Sequence, residues 1–544
     1  MFKYHIVIFL VFLFLQNGFS QIEKPDDYLS AEFHKDRREA LRQLLPSNSV
    51  AVFFANPVRN RANDVDYVYH QDPNFYYLTG YKEPHSVLII YKEKQNEDGV
   101  QYNEAIFVQE RNAKAEQWTG KRLGVKGVKE QLGFSRVFTG GDFKDANIDF
   151  GQFDKVLIFD FEDDYRDFRS TADLHDLVAL FKQKANYRKE NLPNTPKGRA
   201  YQLIKATDIE NSAKVAQNLG RYMDYHPELK KDELLVGFQQ ANSDELRLEF
   251  KEKINLKLAE TPKTNIDITT LDGLMGQLRE IKQPDELKLL KKAVEISAIG
   301  QIEMMKAMHP DMSETEIQGI HEFVYKKYGA EYEGYPSIVG AGHNGCILHY
   351  IDNIKPKVGS DLVLMDLGAE YHGYTADVTR TIPADGTFSP EQKAIYEIVY
   401  NAQEAGIAMV KPGSTFAASY MATRRVVNEG LLKLGIIKSI DEEHDYYPHG
   451  SSHYIGLDVH DAGTMGEFKE NMVLTVEPGI YIPENSPCDK KWWGIAVRIE
   501  DDILVTKDGP VNLSARAPRK VEEIEKMMKE PSALDDFKLP KLDE

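Results

Sequence analysis

The sequence predicts an α/β domain over residues 21–190, followed by a larger α+β domain over residues 265–520. Three observations carry this prediction. The length, 544 residues, exceeds what one core can hold and implies about two to four domains. Before residue 190, short apolar runs alternate with amphipathic stretches, the pattern of strands and helices in turn. Past residue 265 the pattern changes to long amphipathic helices followed by groups of strands.

Residues 1–20 read as a secretory signal peptide. Lys3 supplies the positive start, residues 6–15 are all apolar, and Gly18 and Ser20 are the small residues before a cut expected after Ser20. An apolar run of that length is too short to cross a bilayer core of about 30 Å, which takes about 20 residues. No later run is long enough either. The chain is therefore expected to be exported, periplasmic or extracellular, without integral membrane association.

A first helix is expected to start at Ser30, with Phe33, Leu41, Leu44 and Leu45 on its apolar face. Strands follow at 50–54, 87–91, 105–108 and 156–159, and a helix at 172–182. Residues 191–264 differ. Pro193, Pro196 and Gly198 lead into charged stretches such as Lys230, Lys231, Asp232 and Glu233, which read as a helical linker or insertion with solvated faces. Pro284 opens a helix with Leu287, Leu289, Leu290, Val294 and Ile299 as its apolar residues. Ser313 with Glu316 has the capping-box pattern of a second helix start. A helix pair is expected over about 390–435. Residues 521–544 are charged and contain proline, the composition of a frayed tail.

A net charge of −19 excludes nucleic acid as a partner, because phosphate binding needs a basic patch, and it disfavours anionic membrane surfaces. The two cysteines, Cys346 and Cys488, do not make a disulfide framework.

Four segments could carry chemistry. In the first, two strands flank His372 and Gly373. If these two residues form the hairpin loop, Tyr371 opposes Tyr374 and Asp366 opposes Thr379. Asp377 then lies on the same face as Asp366, as its diagonal neighbour. Side by side and buried, the two carboxylates repel unless a cation lies between them. Read alone, the pair is equally a solvated couple or one paired with Arg380. The second segment holds His449, His453 and His460 among glycines and small residues; three such histidines read as a site, in which one can orient another. In the third, an apolar strand ends in Glu477 before Pro478 and Gly479. In the fourth, Arg498 and Glu500 share one strand face. Taken together, the set is Asp, Asp, His, Glu, Glu. Its charge of about −4 balances two divalent cations, and its oxygen-rich character suits harder ions such as Mn²⁺. Two such ions about 3.5–4 Å apart would bring a shared water toward a pKa of about 7.

The order and spacing of these segments resemble the pita-bread metallopeptidases, the superfamily of methionine aminopeptidase and prolidase, and within it most closely the Xaa-Pro aminopeptidases. The run from Ile338 to Tyr350, including His349, belongs to the same match. So do Gln71 to Pro84 and Glu116 to Gly124, which are similar to the non-catalytic domain of aminopeptidases P and prolidases. The resemblance implies a pita-bread catalytic domain and two bound divalent ions, Mn²⁺ first, with Zn²⁺ or Co²⁺ as alternatives. It implies Asp366, Asp377, His453, Glu477 and Glu500 as metal ligands. His349, His460 and Glu477 become the catalytic groups, and His349, His449, His460 and Arg498 the substrate side, with Arg498 holding either a ligand carboxylate or the substrate. Peptides with proline in second position are the implied partners, cleaved at the N-terminal Xaa-Pro bond by a metal-bridging hydroxide. Trp118 is implied to approach an active site, its own or that of a neighbouring subunit in a homo-oligomer. It reads equally as a packed core tryptophan. Ser451 departs from the Leu common after His-Gly and would alter the pocket wall. Prolidase, which cleaves only Xaa-Pro dipeptides, shares the five ligands and is the nearest alternative. A metal-free peptide-binding protein on the same fold is the alternative of another class.

Overall fold

The computed structural model describes residues 25, 27–161, 171–189, 192–536 and 539; the expected signal peptide lies outside them. Helix α1, Ala31–Leu44, starts where Ser30 caps it, its hydroxyl accepting from the Phe33 N–H. Its buried face, Phe33 and Leu41 included, covers one side of a six-stranded mixed sheet. The strands are β1 (Ser49–Phe54), β2 (Val87–Glu97), β3 (Val100–Val108), β4 (Val137–Thr139), β5 (Lys155–Leu157) and β6 (Ile266–Asp267), in the order β4-β3-β2-β1-β5-β6. The apolar runs at 50–54 and 87–91 pair antiparallel at the centre. Helix α2, Leu174–Lys184, packs on the other face through Leu177 and Phe181. Because β6 adds to the edge of this sheet beside β5, the chain leaves the N-terminal domain just past residue 265.

Residues 196–260 form four helices, α3 (Pro196–Ala206), α4 (Ser212–Tyr225), α5 (Glu233–Gln240) and α6 (Asp244–Glu260). They enclose their own core of Tyr201, Ile204, Leu219, Leu235, Phe238 and Ile254. The run from Lys230 to Glu233 is where one element stops and the next begins, since Asp232 caps α5 by accepting from Leu234 and Leu235 N–H.

The C-terminal domain has two halves of similar order. The first runs α7 (Pro284–Ala307), α8 (Glu314–Lys327), β7 (Ile338–Ala341), β8 (Leu362–Leu367), β9 (Ala369–Tyr371), β10 (Tyr374–Thr375) and β11 (Val378–Pro383). The second runs α9 (Pro390–Ile407), α10 (Phe416–Lys433), β12 (Val473–Val476), β13 (Gly479–Ile482), β14 (Ile495–Arg498) and β15 (Asp501–Thr506). Helices α7 and α9 start alike, with proline in the first turn behind a capping box, Gln283 with Glu286 and Ser389 with Gln392. Among the described residues the strand pairs within this domain are antiparallel, β7-β8-β11, β9-β10, β12-β15 and β13-β14 among them.

The expected frayed tail is corrected in part. Helix α11, Val521–Met527, buries Val521 and Ile524. These two side chains, one turn apart, join the main core, and Glu522 and Glu525 pair with Lys393 and the Phe388 N–H. Composition missed this because Val521 and Ile524, with the half-buried Met527 and Met528, are interspersed among charged residues. Cys346 and Cys488 are both free. Among the described residues no helix is long and apolar enough to cross a membrane.

Candidate active site

The hairpin closes as its residues predict. His372 and Gly373 form the two-residue loop, both with positive φ (52° and 91°), the requirement of a type I′ turn. Tyr371 pairs with Tyr374 and Asp366 with Thr379. Asp366 and Asp377 converge: the Tyr335 hydroxyl lies 2.6 Å from Asp366 Oδ1 and 2.5 Å from Asp377 Oδ1.

His453 is aimed by its backbone. Its N–H donates to Thr475 Oγ1 at 3.1 Å, and ring Nδ1 donates to the Tyr454 carbonyl at 3.0 Å. Nε2 therefore faces the acids, 3.6 Å from Asp377 Oδ2, 3.5 Å from Glu477 Oε1 and 3.9 Å from Glu500 Oε1. Glu477 follows the last residue of β12, its N–H bonded to the Ser451 carbonyl at 2.9 Å. Glu500 lies between β14 and β15, where Thr379 Oγ1 donates to its Oε2 at 2.7 Å. The ligand atoms of Asp377, His453 and Glu500 all lie within 4.8 Å of one another. Glu500 Oε1 and Asp502 Oδ1 are both buried and have no hydrogen-bond partner. Buried carboxylate oxygens without a hydrogen bond, beside the half-buried imidazole of His453, fit a cation, since leaving them unpaired is costly.

The electrostatics agree. Burial, together with Asp377 and Glu477, drives Glu500 well above the carboxylate range. Burial also raises Glu477 to about 7 against the pull of His453, and it raises Asp377 beside Asp366. Asp366 is different: burial pushes it up, but Arg498 and two hydrogen bonds pull harder and leave it low. His453 resists burial and rises to about 9 because Asp377 and Glu477 face it. A divalent cation among these groups favours all the carboxylates in their charged form.

Of the alternatives open for the aspartate pair, Arg380 is removed: its guanidinium pairs with Asp501 at 2.7 Å. The arginine on the site is Arg498, whose Nη2 lies 2.6 Å from Asp366 Oδ2 and whose Nη1 lies 2.9 Å from Tyr481 Oη. It holds a carboxylate. His449 bonds the Gly450 carbonyl through Nδ1 at 2.6 Å and Tyr481 Oη through Nε2 at 2.8 Å. The carbonyl requires a proton on Nδ1, and with the ring neutral Nε2 is left to accept from the tyrosine hydroxyl. Burial holds its pKa down to about 4. His460 is exposed, its ring edge-on to His453 at 4.4 Å. The next residue anchors its loop: Asp461 is buried against Lys282, 2.6 Å away, and Arg279. His349 is exposed on a loop over the same opening, near enough that its charge adds to burial in lowering His449 and His460. Ser451 is buried, its hydroxyl bonded to Thr423 at 3.1 Å. Trp118 is no core residue; it is 84% exposed on the short helix Ala113–Thr119.

Reading the sequence missed Tyr335, Tyr481, Thr379 and Asp502. Nothing around Tyr335 marks it. Tyr481 was within reach, because pairing Gly479 with Arg498 across β13 and β14 puts Tyr481 two residues along from the arginine's partner.

Residues 288–507 match the model of metallopeptidase family M24, and residues 34–151 match that of the aminopeptidase P N-terminal domain. Over 512 residues the chain is 32% identical to the Xaa-Pro aminopeptidase of Escherichia coli (strain K12), covering 92% of this chain and 98% of that protein. The chain belongs to metallopeptidase family M24, among the Xaa-Pro aminopeptidases. Its structure is similar to that of E. coli aminopeptidase P with the inhibitor Pro-Leu, with a TM-score of 0.70 and 29% identity over 92% of this chain and 98% of that one. It is equally similar to the zinc-substituted E. coli aminopeptidase P in complex with product, with a TM-score of 0.70 and 30% identity over the same shares. The fold is thus an aminopeptidase P N-terminal domain followed by the M24 pita-bread domain, and the M24 match contains every residue of the acid and histidine cluster.

Proposed function

We propose that this M24 metallopeptidase removes the N-terminal residue from peptides whose second residue is proline. The observation that carries the reading is the convergence of Asp377, His453 and Glu500 around an orphaned, buried carboxylate oxygen. Asp366 and Glu477 flank that point and complete a set able to hold two divalent ions. The oxygen-rich donors favour Mn²⁺, with Zn²⁺ or Co²⁺ as alternatives. When bound, such ions supply an acidified water as nucleophile and polarise the scissile carbonyl.

The protein's own groups do the rest. Glu477 takes the proton of the attacking water on a carboxylate oxygen and returns it to the departing amine. His460, free at the opening, donates to the oxyanion as it develops. His349, exposed and close enough for its charge to act on both His449 and His460, serves the prolyl nitrogen as it leaves. His449, locked by Gly450 and Tyr481, presents a fixed neutral edge to the substrate. Arg498 keeps Asp366 charged and pointed inward. Proline has a tertiary amide and no N–H, so a site selects it by fit to the ring.

Export rests on Lys3 and the apolar run 6–15. The exposure of Trp118 supports a homo-oligomer in which this side chain reaches a neighbouring subunit's active site. The test of the activity is a peptide panel, Xaa-Pro-Yaa, Xaa-Ala-Yaa and Xaa-Pro, assayed after chelation and again with Mn²⁺, Co²⁺ or Zn²⁺ added back. Cleavage of the tripeptide Xaa-Pro bond is expected. Cleavage of the dipeptide alone would make the protein a prolidase.

A further inference from the structure

Two glutamines occupy matching places in the two halves of the catalytic domain, and both are completely buried. Gln301 projects from α7. Its amide nitrogen donates to the Met365 carbonyl at 3.1 Å and to the Val378 carbonyl at 2.7 Å. Met365 immediately precedes Asp366, and Val378 immediately follows Asp377. Gln403 projects from α9. Its amide nitrogen donates to the Val476 carbonyl at 3.1 Å and to Asp501 Oδ2 at 2.8 Å. Val476 immediately precedes Glu477, and Asp501 immediately follows Glu500. Each glutamine therefore ties together the neighbours of two carboxylates, and between them they reach all four.

We propose that Gln301 and Gln403 are a pair of positioning residues that set the spacing of the four metal-binding carboxylates, one glutamine for each half of the site. The inference deepens the metal-dependent reading above and rests on it.

Three physical points support the assignment. Both amides are oriented without ambiguity. Two acceptors face each nitrogen, and turning either amide would oppose oxygen to oxygen. Arg519 Nη1 donates to Gln403 Oε1 at 2.8 Å, which fixes that side chain a second time. Gln301 Oε1 is buried without a partner, a cost that an apolar side chain of the same size would avoid. The strand pairs also need such a tie. The β8-β11 ladder ends at the Leu367–Val378 pair, so Asp377 lies outside it. Glu477 and Glu500 likewise fall beyond the Val476–Asp501 pair that ends the β12-β15 ladder. Gln403 joins the two strands at the last pair of their ladder, and Gln301 joins Val378 of the last pair to Met365, two residues further in, so each braces the end from which the carboxylates project.

The test compares Gln301→Met and Gln403→Met, which keep volume and remove the donors, with Gln301→Glu and Gln403→Glu, which keep the shape as well. The readouts are the thermal midpoint of the metal-free protein, Mn²⁺ affinity by calorimetry, and the visible absorption spectrum of bound Co²⁺, which reports ligand geometry. Each variant is expected to bind Mn²⁺ about 10-fold more weakly or worse, the usual loss when a group that orients a ligand is removed. The Co²⁺ spectrum per bound ion is expected to change. If the Met variants do not fold, the Glu variants give the same readouts. Variants that fold, bind Mn²⁺ as tightly as the parent and give the parent Co²⁺ spectrum would overturn the inference, even if their thermal midpoints fell. A parent protein that binds no divalent ion would instead overturn the metal reading of the site.

Discussion

Arg498 holds Asp366 across the floor of the site, Nη2 to Oδ2 at 2.6 Å, both side chains buried. In the metal-free protein this arginine is the main counter-charge to Asp366. Removing it leaves a buried carboxylate uncompensated, a loss of about 3–5 kcal/mol in comparable pairs. Arg498→Met should therefore lower the thermal midpoint of the metal-free protein sharply. Saturating Mn²⁺ should recover part of the loss, because a cation can take over the arginine's role. Thermal scans with and without Mn²⁺ check this, and an equal drop in both would contradict it.

Asp377→Asn and His460→Ala should fail in different ways. Asp377 contributes ligand atoms to the central cluster. Its amide variant should bind metal at least about 10-fold more weakly and regain activity as Mn²⁺ is raised. His460 is exposed, with its ring against His453. His460→Ala should keep parental metal content and lose about 10²–10³-fold in kcat, as for one oxyanion donor. If it loses metal and recovers with Mn²⁺, then His460 is a ligand.

Glu314 organises the loop that carries His349. It is fully buried at the start of α8 and accepts from four donor groups: Ala341 N–H at 2.8 Å, Asn344 Nδ2 at 3.0 Å, Tyr350 Oη at 3.0 Å and Lys355 N–H at 2.8 Å. An amide there presents a donor to donors. Glu314→Gln should destabilise the fold by about 1–3 kcal/mol and raise KM for Xaa-Pro-Yaa, with metal content unchanged. Loss of metal would place its effect elsewhere.

The N-terminal segment is fastened to the hairpin tip through Glu331. Its Oε2 accepts from the His372 N–H at 2.8 Å, and its Oε1 bonds His372 Nδ1 at 2.7 Å and accepts from Tyr28 Oη at 3.1 Å. Burial pushes Glu331 up, but the two bonds to His372 and the nearby Lys82 hold it at about 2, below its ordinary 4.5. A carboxylate depressed on folding adds stability above its unfolded value and loses it as pH falls toward the folded one. Glu331→Gln should therefore lower the thermal midpoint at pH 7, with the gap from parent closing between about pH 4.5 and 2. A gap that is constant across this window would rule out the carboxylate as its cause.

Much of this site could be read in advance, for definite reasons. A side-chain period of two forces Asp366 and Asp377 onto one face once His372 and Gly373 make the turn, and the observed register agrees. The acids at the ends of apolar strands, Glu477 and Glu500, stand out because burying them needs a partner. What escaped notice lacks such signals. Tyr335 reaches the aspartates from a segment without periodicity, and Gln301 and Gln403 look like ordinary helix residues until the strands beneath them are placed. Val521 and Ile524, with Met527 and Met528 beside them, are hidden in the tail because charged residues separate them in sequence. Trp118 could not be assigned to core or surface from its type alone.

A two-ion site that cleaves before proline is tested most directly by stripping the natively purified protein with chelator and titrating Mn²⁺, following bound metal and hydrolysis of an Xaa-Pro-Yaa tripeptide in the same samples. Activity should be absent without metal and return as binding approaches two ions per chain, while an Xaa-Ala-Yaa control stays intact. Full activity in the stripped protein, or metal binding that restores no cleavage of the Xaa-Pro bond, would contradict it.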